Sequence, residues 1–133
     1  MNEVKVTERG WAGHFICSDN CAFRRNTLLE YKDRKWIVST VGCMRTWNRT
    51  TNKYEIKTIG AYRWYETMAF VGENKGRYID ADVSQSVDFD SEWGIFGDTW
   101  EEVKERYKLP DNAANEMHDN VVKELSQKIQ EVI

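Results

Sequence analysis

The chain has 133 residues, a formal net charge of −3, 41% hydrophobic and 31% charged residues. That length suits one domain burying about two-thirds of its unfolded surface around one core. The acidic balance argues against bulk attraction to nucleic acid or anionic membrane, while leaving room for a local basic patch.

Residues 3–8 (EVKVTE) alternate as a strand with Val4 and Val6 on one face, and Gly10 and Gly13 bracket Trp11 as a turn. Gly13–Cys17 (GHFIC) reads as a second strand, followed by the polar loop Ser18-Asp19-Asn20. A third stretch opens at Cys21 and ends at Asp33-Arg34. Residues 35–44 (KWIVSTVGCM) are apolar or β-branched on both faces, which suits a central strand. A turn is expected at 48–52, a strand at 53–59, and a turn or bulge at Gly60.

Residues 62–71 (YRWYETMAFV) place Tyr62, Trp64, Glu66, Met68 and Phe70 on one face. Arg63, Tyr65, Thr67, Ala69 and Val71 occupy the other. Large groups on both sides imply cover on both sides. A loop at 72–76 leads to a last strand, 77–83, with Ile79, Ala81 and Val83 inward and Tyr78, Asp80 and Asp82 outward. Residues 84–98 read as a loop anchored by Phe89, Trp93, Ile95 and Phe96.

Thr99 and Glu102 form a capping box opening a short helix that places Trp100, Val103 and Tyr107 on one face and stops before Pro110. Asp111 is expected to cap a longer helix with the stripe Ala114, Met117, Val121, Leu125, Ile129 and Val132. The fold class is therefore α+β: one domain, an antiparallel β-meander of about five to seven strands in residues 1–97, and helices in 99–133 packed on one face. Two apolar sheet faces and helices for only one point to a partner or ligand on the second, such as another copy of the chain.

Four constellations bear on chemistry. His14, Cys17, Cys21 and Cys43 supply zinc-type ligands, but without the tight Cys-x2-Cys knuckle; free cysteines are more often buried small hydrophobes. A cysteine paired with His14 or His118 would suit nucleophilic catalysis, yet no local motif supports it. Asp80 and Asp82 share a strand face and would suit a cation or acid–base pair, although a solvated face is the commoner reason for such spacing. Arg24, Arg25, Arg63 and Arg77 suit phosphate, with Trp64 and Tyr65 as a stacking platform and Asn115 and His118 as supporting polar groups. Asp80 to Glu92 is acidic enough to mimic nucleic acid toward a basic groove.

The strings RGWAGHFIC, CAFRRNTLLE, YETMAF, DADVS, FDSEW and ANEMH together resemble a small-protein family common in phages and prophages. In general design the chain is similar to anti-Thoeris sponges, which sequester a cyclic ADP-ribose signal between subunits with aromatic and arginine side chains. The resemblance implies a non-catalytic, oligomeric counter-defence protein that holds an anionic nucleotide-like ligand or blocks a host protein. No cofactor, membrane or nucleic-acid partner is expected. The N-terminal MNEVKVTERG lacks the apolar core of a signal peptide, so a cytoplasmic location in the host is expected.

Overall fold

The computed structural model describes residues 3–10 and 20–132, the side chain of Val132 excepted. The expected strand at 13–17, together with Trp11, His14 and Cys17, lies outside the described residues. The described chain forms β1 (Lys5–Glu8), β2 (Cys21–Tyr31), β3 (Arg34–Asn48), β4 (Lys53–Lys57), β5 (Arg63–Asn74), β6 (Ile79–Ser86), β7 (Gly94–Phe96), α1 (Trp100–Tyr107) and α2 (Pro110–Val132). All strand pairs are antiparallel, in the order β1-β2-β3-β5-β6, with β4 on β3 and β7 on β5. The α+β class and the one short and one long C-terminal helix are as the sequence predicts.

β2 and β3 meet in a two-residue turn with Lys32 and Asp33 both left-handed (φ 48° and 65°), the twist a tight hairpin requires. β3 is the central strand, and its side chains from Trp36 to Cys43 are buried. Register sets which side chains share a face. Thr27, Leu29, Trp36, Val38, Thr40, Tyr65, Thr67 and Ala69 lie on the face beneath α2. The helix returns Ala114, Met117, Val121, Leu125 and Ile129, all buried, as the stripe predicts. Each such large apolar side chain contributes about 1.5–3 kcal/mol when taken out of water.

The second face departs from expectation. Leu28, Ile37, Val41 and Phe70 are at most 5% exposed in the single chain. Oligomerisation is therefore not needed to hide this face. Part of the reason is curvature. Arg9, just beyond β1, donates from Nε to Asn26 Oδ1 (2.9 Å) and from Nη1 to the Ile79 carbonyl (2.6 Å). β1 and β6 end the main strand path, which would separate them by about 19 Å in a flat sheet. One side chain touches both only because the sheet curls until its edges approach.

Boundaries also moved. β5 continues through residues 72–74, expected as loop, and β6 begins at Ile79 and runs to Ser86. Val83, expected inward, is 68% exposed. Pairing jumps from Val71↔Asp82 to Phe70↔Ser86, so residues 83–85 bulge out of the ladder. β7 is a strand within the expected loop 84–98. α2 starts at Pro110 rather than after an Asp111 cap, because proline suits a first helical position whose N–H would have no helical partner. α1 opens as expected, with Thr99 Oγ1 accepting from the Glu102 N–H (3.1 Å).

Candidate functional site

A polar seam crosses the interface between α2 and the sheet. Its centre is His118, fully buried on the inner side of α2. His118 Nε2 lies 2.7 Å from Thr27 Oγ1, and Nδ1 lies 2.7 Å from Thr40 Oγ1, itself 2.6 Å from Thr67 Oγ1. Thr27 donates its single hydroxyl proton to Glu8 Oε2 (2.9 Å), since an ionised carboxylate only accepts. Thr27 must therefore accept from His118, which places the imidazole proton on Nε2. Nδ1 then accepts from Thr40, which accepts from Thr67. Every hydrogen bond runs the same way, from Thr67 to Glu8.

This seam explains the charge states. Burial and the nearby Arg25 guanidinium push His118 down to about 4, outweighing the opposing carboxylates, so the ring is neutral at pH 7. Burial raises Glu8, but hydrogen bonds from Arg25 and Thr27 reverse the balance and hold it below the usual range. Arg25 closes the outer end, with ion pairs to Glu8 (3.0 Å) and Asp119 (2.8 Å) and bonds to the Asn115 backbone and side-chain oxygens (both 3.3 Å). Arg25, Asn115 and His118 thus come together, as structural partners of one another.

The other expected contacts are dispersed. Arg24 precedes Arg25 on β2 and so points to the opposite face. Arg63 bonds the Gly60 carbonyl and pairs with Glu66 at 2.5 Å. Arg77 is exposed in the turn after β5, beyond the opposite end of that strand, roughly 35 Å along it from Arg63. Trp64 donates to the Gly97 carbonyl (2.9 Å) and packs on Trp100, with ring centroids 5.4 Å apart. Tyr65 donates to Asp111 Oδ1 (2.5 Å) with Phe23 edge-on to its ring. At 5% and 1% exposure, both rings belong to the core rather than to a stacking platform.

Of the metal alternative, Cys21 and Cys43 are buried, while His14 and Cys17 lie outside the described residues. Among the described residues no group of three or more His, Cys, Asp or Glu is placed to hold a metal. Burial pushes the Cys43 thiol up to about 12, so it is a poor nucleophile. Asp82 is occupied locally, accepting from Ser84 N and Oγ and from Gln85 Nε2, which hold its carboxyl below the usual range.

A feature that sequence reasoning missed lies along the edge of β5. Val87 N–H bonds the Ala69 carbonyl (2.8 Å) and Thr67 N–H bonds the Trp93 carbonyl (2.7 Å). Between these points, residues 88–92 leave the strand edge. They leave an open cleft of about 270 Å³ lined by Glu66, Met68, Asp88, Phe89 and Trp93, among others. Glu124 of α2 pins the departing loop by accepting from Asp90 N, Ser91 N and Ser91 Oγ. Burial opposes its charge more than any one partner favours it, but these bonds and Lys128 together bring Glu124 down to about 2. Trp93 and Phe96, 46% and 39% exposed, meet edge-to-face at 5.3 Å beside it.

No family model, curated protein or solved structure matches the chain. Its chemistry must be read from its own surfaces. The cleft combines an apolar floor, aromatic rings and carboxylates, which fits a surface that is apolar at its centre and basic around it. Phe89 and Trp93 in a tract free of lysine and arginine from 80 to 93 were the signal in the sequence. The two backbone anchors that create the cleft left none.

Proposed function

We propose that this chain is a phage-encoded, non-catalytic binding protein that blocks a host protein by presenting its acidic, aromatic cleft to a basic groove. The observation carrying this reading is the half-exposed Trp93 beside an open apolar floor, flanked by the exposed carboxylates of Asp88 and Glu92. Tryptophan dominates interface energetics when a partner desolvates it, and like-signed charges around it steer the encounter. Sequestration of an anionic nucleotide-like signal has less support. Arg25 and Arg63 are already paired with carboxylates, and Trp64 and Tyr65 are enclosed by the core.

The test is a photo-crosslinking residue at position 93, with a second at position 78 as control, expressed in host cells. One host protein crosslinked from 93 only, and lost on Asp88→Lys/Glu92→Lys, is the expected result. Equal crosslinking from both positions, or a melting temperature raised several degrees by cyclic nucleotides, would overturn the reading.

A further inference from the structure

β3 outruns its neighbours. Its pairing with β5 ends at Gly42 and with β2 at Met44, so among the described residues Arg45–Asn48 pair with β4 alone. The result is a two-stranded arm projecting past the sheet, its strands about 17 Å long. Asn48 stiffens its turn, accepting from Thr50 N (2.9 Å) and Thr51 N (3.2 Å) while donating to Glu55 Oε1 (2.6 Å). One face carries Trp47 directly opposite Tyr54, ring centroids 4.9 Å apart and edge-to-face, with the Arg45 guanidinium 4.6 Å over the Tyr54 ring. These rings remain 49% and 60% exposed.

Charge sets the arm apart from the body. Residues 44–57 hold Arg45, Arg49, Lys53 and Lys57 against Glu55 alone, a net of +3. The whole chain carries −3, so the remainder carries −6. The one acid is engaged by Asn48 and by Lys57 (3.9 Å).

We propose that this arm binds single-stranded nucleic acid, with bases stacking on Trp47 and Tyr54 and phosphates held by Arg45 on that face, by Arg49 in the turn, and by Lys53 and Lys57, which lie on the reverse face of edge strand β4 and reach around its edge. This goes beyond the function proposed above and rests on a different surface, so either stands if the other fails. Exposed aromatics surrounded by cations are what an unpaired strand needs, because every base has a stacking face and every nucleotide a charge. An acidic protein is the weaker fit, since protein interfaces are depleted of lysine. The acidic body confines contact to the arm, and the arm's phosphate contacts make binding salt-dependent.

The experiment is fluorescence anisotropy of a short labelled mixed-sequence oligodeoxynucleotide with the full chain. Binding is expected at about 50 mM salt, with log affinity falling against log salt at a slope of about −2 to −3, as three or four phosphate contacts require. Trp47→Ala or Tyr54→Ala should weaken it by about tenfold or more. Tyr54→Phe, which keeps the ring, should retain it. Arg49→Glu/Lys53→Glu should remove it, and Tyr78→Ala, on a distant exposed turn, should change nothing. Circular dichroism of each variant confirms that the fold persists. The proposal is overturned by no binding at about 100 μM protein, by affinity undiminished in both ring-to-alanine variants, or by polyglutamate competing as well as the oligonucleotide. The last result would assign the arm to an acidic protein.

Discussion

Thr27 Oγ1 stands 2.7 Å from His118 Nε2, and because Thr27 gives its own proton to Glu8, this contact decides where the imidazole carries its hydrogen. A buried histidine that donates to Thr27 and accepts from Thr40 gains a second proton only if the Thr40 and Thr67 hydroxyls reverse their hydrogen bonds and a charge is buried. Charge and packing are therefore linked at this residue.

Acid stability should report that link. His118 has a folded pKa of about 4, below the ordinary value near 6.5, so below about pH 6.5 the unfolded chain takes up a proton that the native chain refuses. The contribution is complete above that pH and is lost as pH falls toward 4, amounting to on the order of 3 kcal/mol. Glu8, held below its ordinary value, weakens the native state in the same direction on acidification. Urea unfolding at pH 7.5 and 5 should show the decline. His118→Leu should cost about 2–3 kcal/mol at pH 7.5, by removing the two buried hydrogen bonds to Thr27 and Thr40, and should flatten the pH dependence between 6.5 and 4. A slope unchanged in that variant would move its origin elsewhere.

Arg9→Ala should loosen both edges of the curled sheet at once. The substitution removes the bond to buried Asn26 and the link to the Ile79 carbonyl, a loss of about 1–3 kcal/mol. Hydrogen exchange should accelerate in β1 and β6 together, although they lie far apart in sequence. Acceleration confined to β1 would show that Arg9 does not couple them.

Gly42→Ala should be among the most damaging small substitutions. A Cβ at this position would overlap the Tyr65 ring, which is itself fixed by Asp111 and Phe23. Overpacking of this kind costs about 1–3 kcal/mol. The double variant Gly42→Ala/Tyr65→Leu, measured by the same denaturation, should recover part of the loss.

Asp33→Gly should stabilise the β2–β3 hairpin. Asp33 sits at φ 65°, where a side chain is strained and glycine is not, so a gain of about 1 kcal/mol is expected. Thermal melting at neutral pH measures it directly.

Native Cys43 should resist iodoacetamide at pH 8 and react freely in urea. Its thiol is buried and pushed up to about 12, so almost no thiolate exists in the folded chain. Peptide mass spectrometry reads both states. Rapid native modification would place Cys43 in a more open setting than the one described.

The sequence by itself determined those features whose cause is local. The stripe from Ala114 to Ile129 needs only a 3.6-residue period, the box from Thr99 to Glu102 only adjacent backbone, and the central position of β3 only apolar residues on both faces. Tertiary structure decided everything that depends on which distant segments meet. It gathered Glu8, Arg25, Thr27, Thr40, Thr67 and His118 into one seam, hid both faces of the sheet, and sent Arg63 and Arg77 to opposite ends of β5. It also let β3 overshoot Gly42 and opened the cleft between Val87 and Trp93. Strand register and sheet curvature arise from the sum of many long-range contacts, and no window of sequence contains that sum.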